Sequence, residues 1–153
     1  MNEAKGASGI DYFGAAFWQI GNAWKRRAIS VLRPQNITVV QFLVLKSVAM
    51  LRDQKRHISQ VDVAETLQAN PMVVSSVIRS LKKQKLISVK VHPKDSRAKR
   101  VELTTSGIDH LTACHQLIVD MESTFFKPLE GNEKPFSDQL NVLARAHPFT
   151  LES

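Results

Sequence analysis

Between Arg79 and Arg100 the chain sets nine cations, Arg79, Lys82, Lys83, Lys85, Lys90, Lys94, Arg97, Lys99 and Arg100, against the single carboxylate of Asp95. That segment carries a formal +8 while the whole chain carries +7, so the remainder sums to about −1. Cations concentrated in this way do not make or break bonds. They neutralise a polyanion and steer it to one face. Immediately ahead lie Met72, Val73, Ser75 and Ser76, of which the two serines are small enough to let another surface approach closely. Residues that would support enzymatic chemistry are missing from the pattern. There is no Gly-rich phosphate loop, no nucleophile with a paired base and no zinc-hydrolase spacing. The five histidines, His57, His92, His110, His115 and His147, form no metal motif; His110 and His115 point about 140° apart on a helix. No cofactor and no catalytic activity are expected.

The elements that must position these groups are legible from capping signals and periodicity. Ile10, Phe13, Phe17, Ile20, Trp24, Ala28 and Val31 recur at steps of three and four, one face of a long helix that stops near Pro34. Thr38 with Gln41 forms a capping box, and Ile37 with Phe42 a hydrophobic staple, opening a second helix that runs to about Arg52. Asp53 to Arg56 reads as a turn, and His57 with Ile58 as a short strand. Ser59 and Asp62 repeat the start signal for a short helix ending near Ala69. Asn70 caps the next helix with Pro71 in its first turn, and Val74, Val77, Ile78 and Leu81 form its buried stripe. Strands are expected over 88–92 and 100–104, joined by a basic loop from Pro93 to Lys99. Thr104 or Thr105 caps a long helix to Phe126, with the seam Leu111, Cys114, Ile118, Met121 and Phe125. After a break from Pro128 to Pro135, a last helix carries Phe136, Leu140 and Leu143.

Two helices joined by a tight turn, the second exposing small polar and basic groups, fit a helix-turn-helix. Its second helix can enter a major groove, where Met72, Val73, Ser75, Ser76 and Arg79 would meet base edges and Lys82 and Lys83 phosphates. Met72 and Val73 could touch thymine methyls, or one of them could pack on the preceding helix. The hairpin, with Lys94, Asp95, Arg97 and Lys99, is a wing that can reach the neighbouring minor groove, where narrowing favours arginine. Arg97 could equally pair with Asp95 and shape the wing; the two roles are compatible.

The wing reads D-x-R-x3-V-x-L-T through Asp95, Arg97, Val101, Leu103 and Thr104, with Gly107 following. Upstream stand Thr38, Gln41, Phe42 and Leu45, then Ser59, Gln60, Ala64 and Leu67, then Val74, Leu81, Leu86 and Ile87. In these residues, over about 37–108, the chain resembles the wing and successive helices of the MarR family of bacterial winged-helix regulators. One position departs: the glycine usual before Leu-Ile is Lys85 here, which costs on the order of 1 kcal/mol if the backbone is left-handed there.

The resemblance implies a mainly α fold with a small β-wing, divided as an N-terminal dimerisation helix (1–36), a winged helix-turn-helix (37–104) and C-terminal dimerisation helices (105–153). It implies a homodimer that binds a pseudo-palindromic operator in duplex DNA, acting as a ligand-responsive repressor. The dimer interface is expected at Phe13, Phe17, Ile20, Ile118, Phe125, Phe136 and Leu140, and an effector pocket near Tyr12 and Trp18. Independently, three helices with apolar seams flank the central unit, more surface than one small lobe can bury. Two rivals stand beside this reading: a winged-helix protein-interaction module, which has no need of such a basic face, and a nonspecific architectural DNA binder.

Composition sets the outer bounds. At 153 residues and 43% apolar, the chain suits one globular domain, with or without an appendage. No apolar run approaches the roughly 20 residues needed to span a bilayer, and the N-terminus lacks the pattern of a signal peptide. A single cysteine, Cys114, excludes an intrachain disulfide, and its place on an apolar seam reads as a small hydrophobe rather than a redox sensor. A cytoplasmic location is expected.

Overall fold

The computed structural model describes residues 12–55, 57–92 and 95–148, with backbone alone for His92 and 95–98. The elements run α1 (Phe13–Leu32), α2 (Val39–Arg52), α3 (Gln60–Leu67), α4 (Pro71–Lys83), β1 (Ile87–His92), β2 (Asp95–Leu103), α5 (Thr105–Phe125) and α6 (Glu133–Ala146). Single 3₁₀ turns, Arg33–Gln35 and Lys127–Leu129, follow α1 and α5. Ile10, expected on the first helix, lies outside the described residues.

The start signals work as the sequence reads. The Gln41 N–H donates to Thr38 Oγ1 at 3.1 Å, and the Thr38 N–H donates back to Gln41 Oε1 at 2.9 Å. Ser59 and Asp62 close the same reciprocal box on α3, the Ser59 N–H donating to the carboxylate at 2.7 Å. Partial burial alone would push the Asp62 carboxyl up; hydrogen bonds from Lys55 and from the Ser59 N–H and hydroxyl outweigh it and hold the group below the usual range. Asn70 Oδ1 accepts from the Met72 N–H at 2.8 Å and opens α4.

α2 lies at the centre of the core. Phe42, Val44, Leu45 and Val48 are almost fully buried and meet Val63 of α3, Val74, Ile78 and Leu81 of α4, and Val101 of β2. The same buried cluster continues into Ala28 and Leu32 of α1 and into Cys114 and Ile118 of α5. Gln41 adds a polar tie, its Nε2 donating to Ser80 Oγ of α4 at 3.1 Å. Burial pushes the Cys114 thiol up, which keeps it protonated and unreactive.

Three boundaries differ from the sequence reading. β2 begins at Asp95, so 95–99 belong to a strand and the connection shrinks to 93–94. This outer part of the hairpin has no apolar alternation, which is why periodicity misses it. The hairpin is antiparallel, with Ile87 opposite Leu103 and Val89 opposite Val101, and a register shift falls between Val91 and His92. The expected strand at His57 and Ile58 is reduced to one ladder contact, the Val101 N–H donating to the Ile58 carbonyl at 2.8 Å. α6 begins at Glu133, three residues before Phe136, and takes Pro135 into its first turn, where no hydrogen bond is lost.

The exit from α4 carries the departure at Lys85. The Leu86 N–H donates to the Leu81 carbonyl and the Lys85 N–H to the Lys82 carbonyl, both at 3.0 Å, the paired closure of a Schellman motif. That closure demands a left-handed residue, and Lys85 supplies it at φ 61°. Directly opposite, Gly107 packs against this turn so closely that a Cβ would stand 2.0 Å from the Leu86 carbonyl oxygen.

Two substitutions test this corner. Lys85→Gly should relieve the left-handed strain and raise stability by about 0.5–1 kcal/mol, after the entropic cost of glycine. Gly107→Ala should destabilise by about 1–3 kcal/mol or more, because the obstacle is backbone and cannot rotate away. Denaturant midpoints of the two variants should move in opposite directions.

Candidate nucleic-acid interface

The first turns of α4 present an open surface. Met72 is 80% exposed and Val73 50%, so neither packs into the core behind the preceding helix. Ser76, Arg79, Lys82 and Lys83 are exposed, and Ser75 is half-buried. Val74, Ile78 and Leu81, on the opposite side of the same helix, are buried. One face therefore anchors the helix and the other is free to meet a partner.

A cleft of about 280 Å³ runs between α4 and the hairpin. It brings Ser75, Arg79 and Lys82 from the helix together with Lys99 from β2, over Val89 and Val91. Gln60, from the first turn of α3, lines the same cleft; the sequence placed it in the family pattern but not among the interface residues. Its signal was present: the Ser59 capping box marks the α3 N-terminus, and first-turn residues of a helix start present free N–H groups and polar side chains. Lys83 stands on α4 outside this cleft. Lys94 lies outside the described residues, and for Asp95 and Arg97 only the β2 backbone is described, so the arm that bears them is placed and their contacts are not.

Not all nine cations are available to a ligand. Lys90 and Arg100 sit opposite one another across the hairpin and both reach Glu102, at 2.9 Å and 2.6 Å. Lys90, Arg100 and Glu102 share the sheet face turned away from Val89, Val101 and Lys99, since side chains alternate along a strand. Glu102 falls two residues past the segment that carries +8, so the sequence count overstates the charge facing α4. The Glu102 carboxyl is held below the usual range, first by the hydrogen bond from Lys90, against partial burial, and then by the charges of Arg100, Lys90 and His57.

The dimer and effector expectations fall on the other end of the molecule. Phe13 is 90% exposed, Phe17 67% and Ile20 50%, on the first turns of α1. α6 has no buried residue, and Phe136 and Leu140 are half-buried. Phe125 lies edge-on to Phe126 at 4.9 Å and under the Arg27 guanidinium at 5.5 Å. Trp24 Nε1 donates to Glu122 Oε1 at 3.0 Å and fastens α1 to α5. Ile118 corrects the sequence reading: at 3% exposure it belongs to the protomer's own core, because α5 turns that side of its seam toward α1 and α2. It leaves almost no surface for a second copy. Tyr12 and Trp18 are each 72% exposed at the start of α1 and line none of the cavities described among these residues. Among the described residues, no group of His, Cys, Asp or Glu is arranged to hold a metal, and no single helix is long and apolar enough to cross a membrane.

A helix-turn-helix followed by a basic hairpin, with an exposed face on its second helix, defines a winged-helix nucleic-acid binder. Comparison with known proteins narrows the class. No family model matches the chain. The chain is 30% identical over 113 residues to the uncharacterized HTH-type transcriptional regulator YdcH of Bacillus subtilis (strain 168), covering 74% of this chain and 77% of that protein. Among solved structures it resembles Staphylococcus aureus MepR in complex with DNA, at TM-score 0.78 and 28% identity over 89% of this chain and 98% of that one. It also resembles a mutant Escherichia coli MarR complexed with operator DNA, at TM-score 0.75 and 25% identity over 88% and 93% of the two chains. CouR of Rhodococcus jostii RHA1, bound to p-coumaroyl-CoA, shares the fold at TM-score 0.74 and 20% identity over 93% and 96%. The chain belongs to the MarR family of winged-helix transcriptional regulators.

The Glu102 cluster makes a pH prediction. A carboxylate whose folded pKa is depressed stabilises the fold above its unfolded pKa, and that contribution is lost as pH falls through the folded value. The cluster should therefore hold the wing base fully at neutral pH and release it on acidification below about pH 4.5, the ordinary glutamate value. Urea midpoints measured from neutral to acid pH should fall less steeply for Glu102→Gln than for the unaltered protein. Parallel profiles would show that the cluster contributes nothing to stability.

Proposed function

We propose that the chain binds a near-palindromic duplex DNA site as a homodimer and controls transcription, acting as a repressor whose operator affinity a small molecule lowers. The observation that carries the reading is the cleft in which Ser75, Arg79 and Lys82 of α4 meet Lys99 of the wing, since it gathers base-reading and phosphate-neutralising groups from two elements onto one surface. Met72, Val73, Ser75, Ser76 and Arg79 read the major groove. Lys82 and Lys83, later on the helix, neutralise phosphates. The wing residues Lys94, Asp95, Arg97 and Lys99 approach the adjacent minor groove, with Arg97 inserted and Asp95 orienting its guanidinium. MepR and MarR, both solved with DNA, support the reading by likeness of fold and sequence.

In this reading 1–36 and 105–153 form the dimerisation lobe and 37–104 the DNA-binding lobe. Phe13, Phe17, Ile20, Phe125, Phe136 and Leu140 supply the apolar contact. Large apolar side chains left this exposed on two terminal helices are what a second copy would cover. The regulatory step rests on differential affinity: a ligand that prefers one spacing of the two recognition helices shifts the population toward it. Tyr12 and Trp18 would contribute to such a site only with a partner protomer's surface alongside.

Three measurements test the proposal. Sedimentation should give a dimer, and Phe17→Glu should give a monomer of unchanged helical content that no longer shifts operator DNA. Arg97→Ala should weaken binding and relax the preference for A·T pairs beside each half-site, whereas Lys82→Ala should weaken all sequences alike and lower the salt slope by about one unit. The two recognition helices should contact half-sites about 34–36 Å apart, visible as footprints one helical turn apart. A stable monomer that binds no selected sequence above random DNA would refute the reading.

A further inference from the structure

The free cations of the winged helix lie on one side of it and paired cations on the other. Arg79, Lys82, Lys83 and Lys99 make no ion pair among the described residues. Arg79, Lys82 and Lys99 line the cleft between α4 and the hairpin. On the opposite face of the sheet, Lys90 and Arg100 both end on Glu102. Lys55, on that same side of the molecule, pairs with Asp62.

The Glu102 carboxylate is placed to occupy both of its cations at once. Arg100 Nε reaches Oε1 at 2.6 Å and Lys90 Nζ reaches Oε2 at 2.9 Å, so each oxygen carries one charge. The Glu102 side chain is 25% exposed, whereas those of Lys90 and Arg100 are 67% and 40% exposed. The two cations are therefore within reach of a polyanion, and only the carboxylate engages them. They also stand directly opposite one another on neighbouring strands, where two like charges repel.

The placement bears on discrimination between DNA sequences. Attraction to random DNA is set by how many phosphates the protein neutralises, whatever the bases are. A free cation on the outer face of the wing would add to that attraction, in orientations that keep α4 away from the bases. It would add little to the operator complex, in which the duplex lies against α4. A carboxylate that neutralises the outer face therefore raises the ratio of specific to random binding.

We propose that Glu102 is a specificity-determining residue: it withholds Lys90 and Arg100 from phosphates, so that duplex DNA is drawn to the α4 face of the wing and not to its outer face. The inference rests on the DNA-binding function proposed above and adds a role for a residue that touches no base.

The test compares two duplexes of equal length, one selected by the protein from a random pool and one of scrambled sequence, over a range of salt at neutral pH. Glu102→Gln frees both cations. Its affinity for the scrambled duplex should rise about three- to tenfold, and its salt slope there should steepen by about one to two units, one for each cation that finds a phosphate. Affinity for the selected duplex should rise less, so the ratio between the two falls. Lys90→Gln alone should change neither affinity, because that charge is already engaged. The double variant, Lys90→Gln with Glu102→Gln, should return most of the scrambled-duplex affinity to that of the unaltered protein. A wing that had merely lost its shape would bind both duplexes more weakly, and removing a second member of the cluster would not rescue it. The proposal is overturned if Glu102→Gln leaves the salt slope on the scrambled duplex unchanged, if it weakens both duplexes or strengthens both equally, or if Lys90→Gln alone lowers scrambled-duplex binding. An unaltered protein that fails to distinguish the two duplexes would refute the DNA-binding function itself, and this role with it.

Discussion

The carbonyl of Leu86 is the point through which the recognition helix, the wing and the long helix α5 are held in one geometry. It accepts from the Thr104 N–H at 3.1 Å and from Thr104 Oγ1 at 3.2 Å, while that hydroxyl also reaches the Lys85 carbonyl at 2.7 Å and caps α5 by accepting from the Gly107 N–H. Gly107 lets the α5 backbone come close enough for this to happen. One side chain thus closes the end of α4, the end of β2 and the start of α5 together. The wing arm, the base-reading face and the helix toward the aromatic end of the chain all leave from this corner, so their relative placement depends on these few hydrogen bonds.

Around that corner the charges are sorted by sheet face. Strand alternation places Lys99 with Val89 and Val101 toward α4, and Lys90, Arg100 and Glu102 away from it. The inward set joins Arg79 and Lys82 in a cleft suited to a nucleic-acid backbone. The outward set neutralises itself around Glu102 and stiffens the base of the wing. A basic segment that looks uniform in one dimension therefore does two jobs in three, and only part of its charge is free for DNA.

The far end of the molecule follows a different logic. α1 is pinned to α5 by the Trp24–Glu122 hydrogen bond and by burial of Ala28 and Leu32, yet its first turns run past the core with their aromatics exposed. α6 adds a helix with no buried residue. The protomer is complete as a winged helix and incomplete as a surface. The dimer proposed here supplies the missing contact, and with it the geometric coupling between the two DNA-binding lobes.

How much of this was legible in the chain divides along a physical line. Local features were legible because their causes are local. The capping boxes at Thr38 and Ser59, Asn70 before Pro71 and the buried stripe of α4 each follow from residues close together in the chain. The family pattern across the wing carried the fold, and the left-handed conformation at Lys85 could be anticipated from the glycine it replaces. What distance in sequence conceals was decided by the tertiary structure. Periodicity placed Ile118 on an apolar seam but could not say whether that seam faces α1 and α2 or a second copy, since both are apolar. The outer half of β2 carries no apolar alternation in its sequence, and its strand emerges only from the pairing of the two arms, out to His92 opposite Asp95. Counting charges could not reveal that Glu102 withdraws Lys90 and Arg100, nor that Gln60 of α3 joins the cleft of α4, because those groupings exist only once the sheet has folded against the helices.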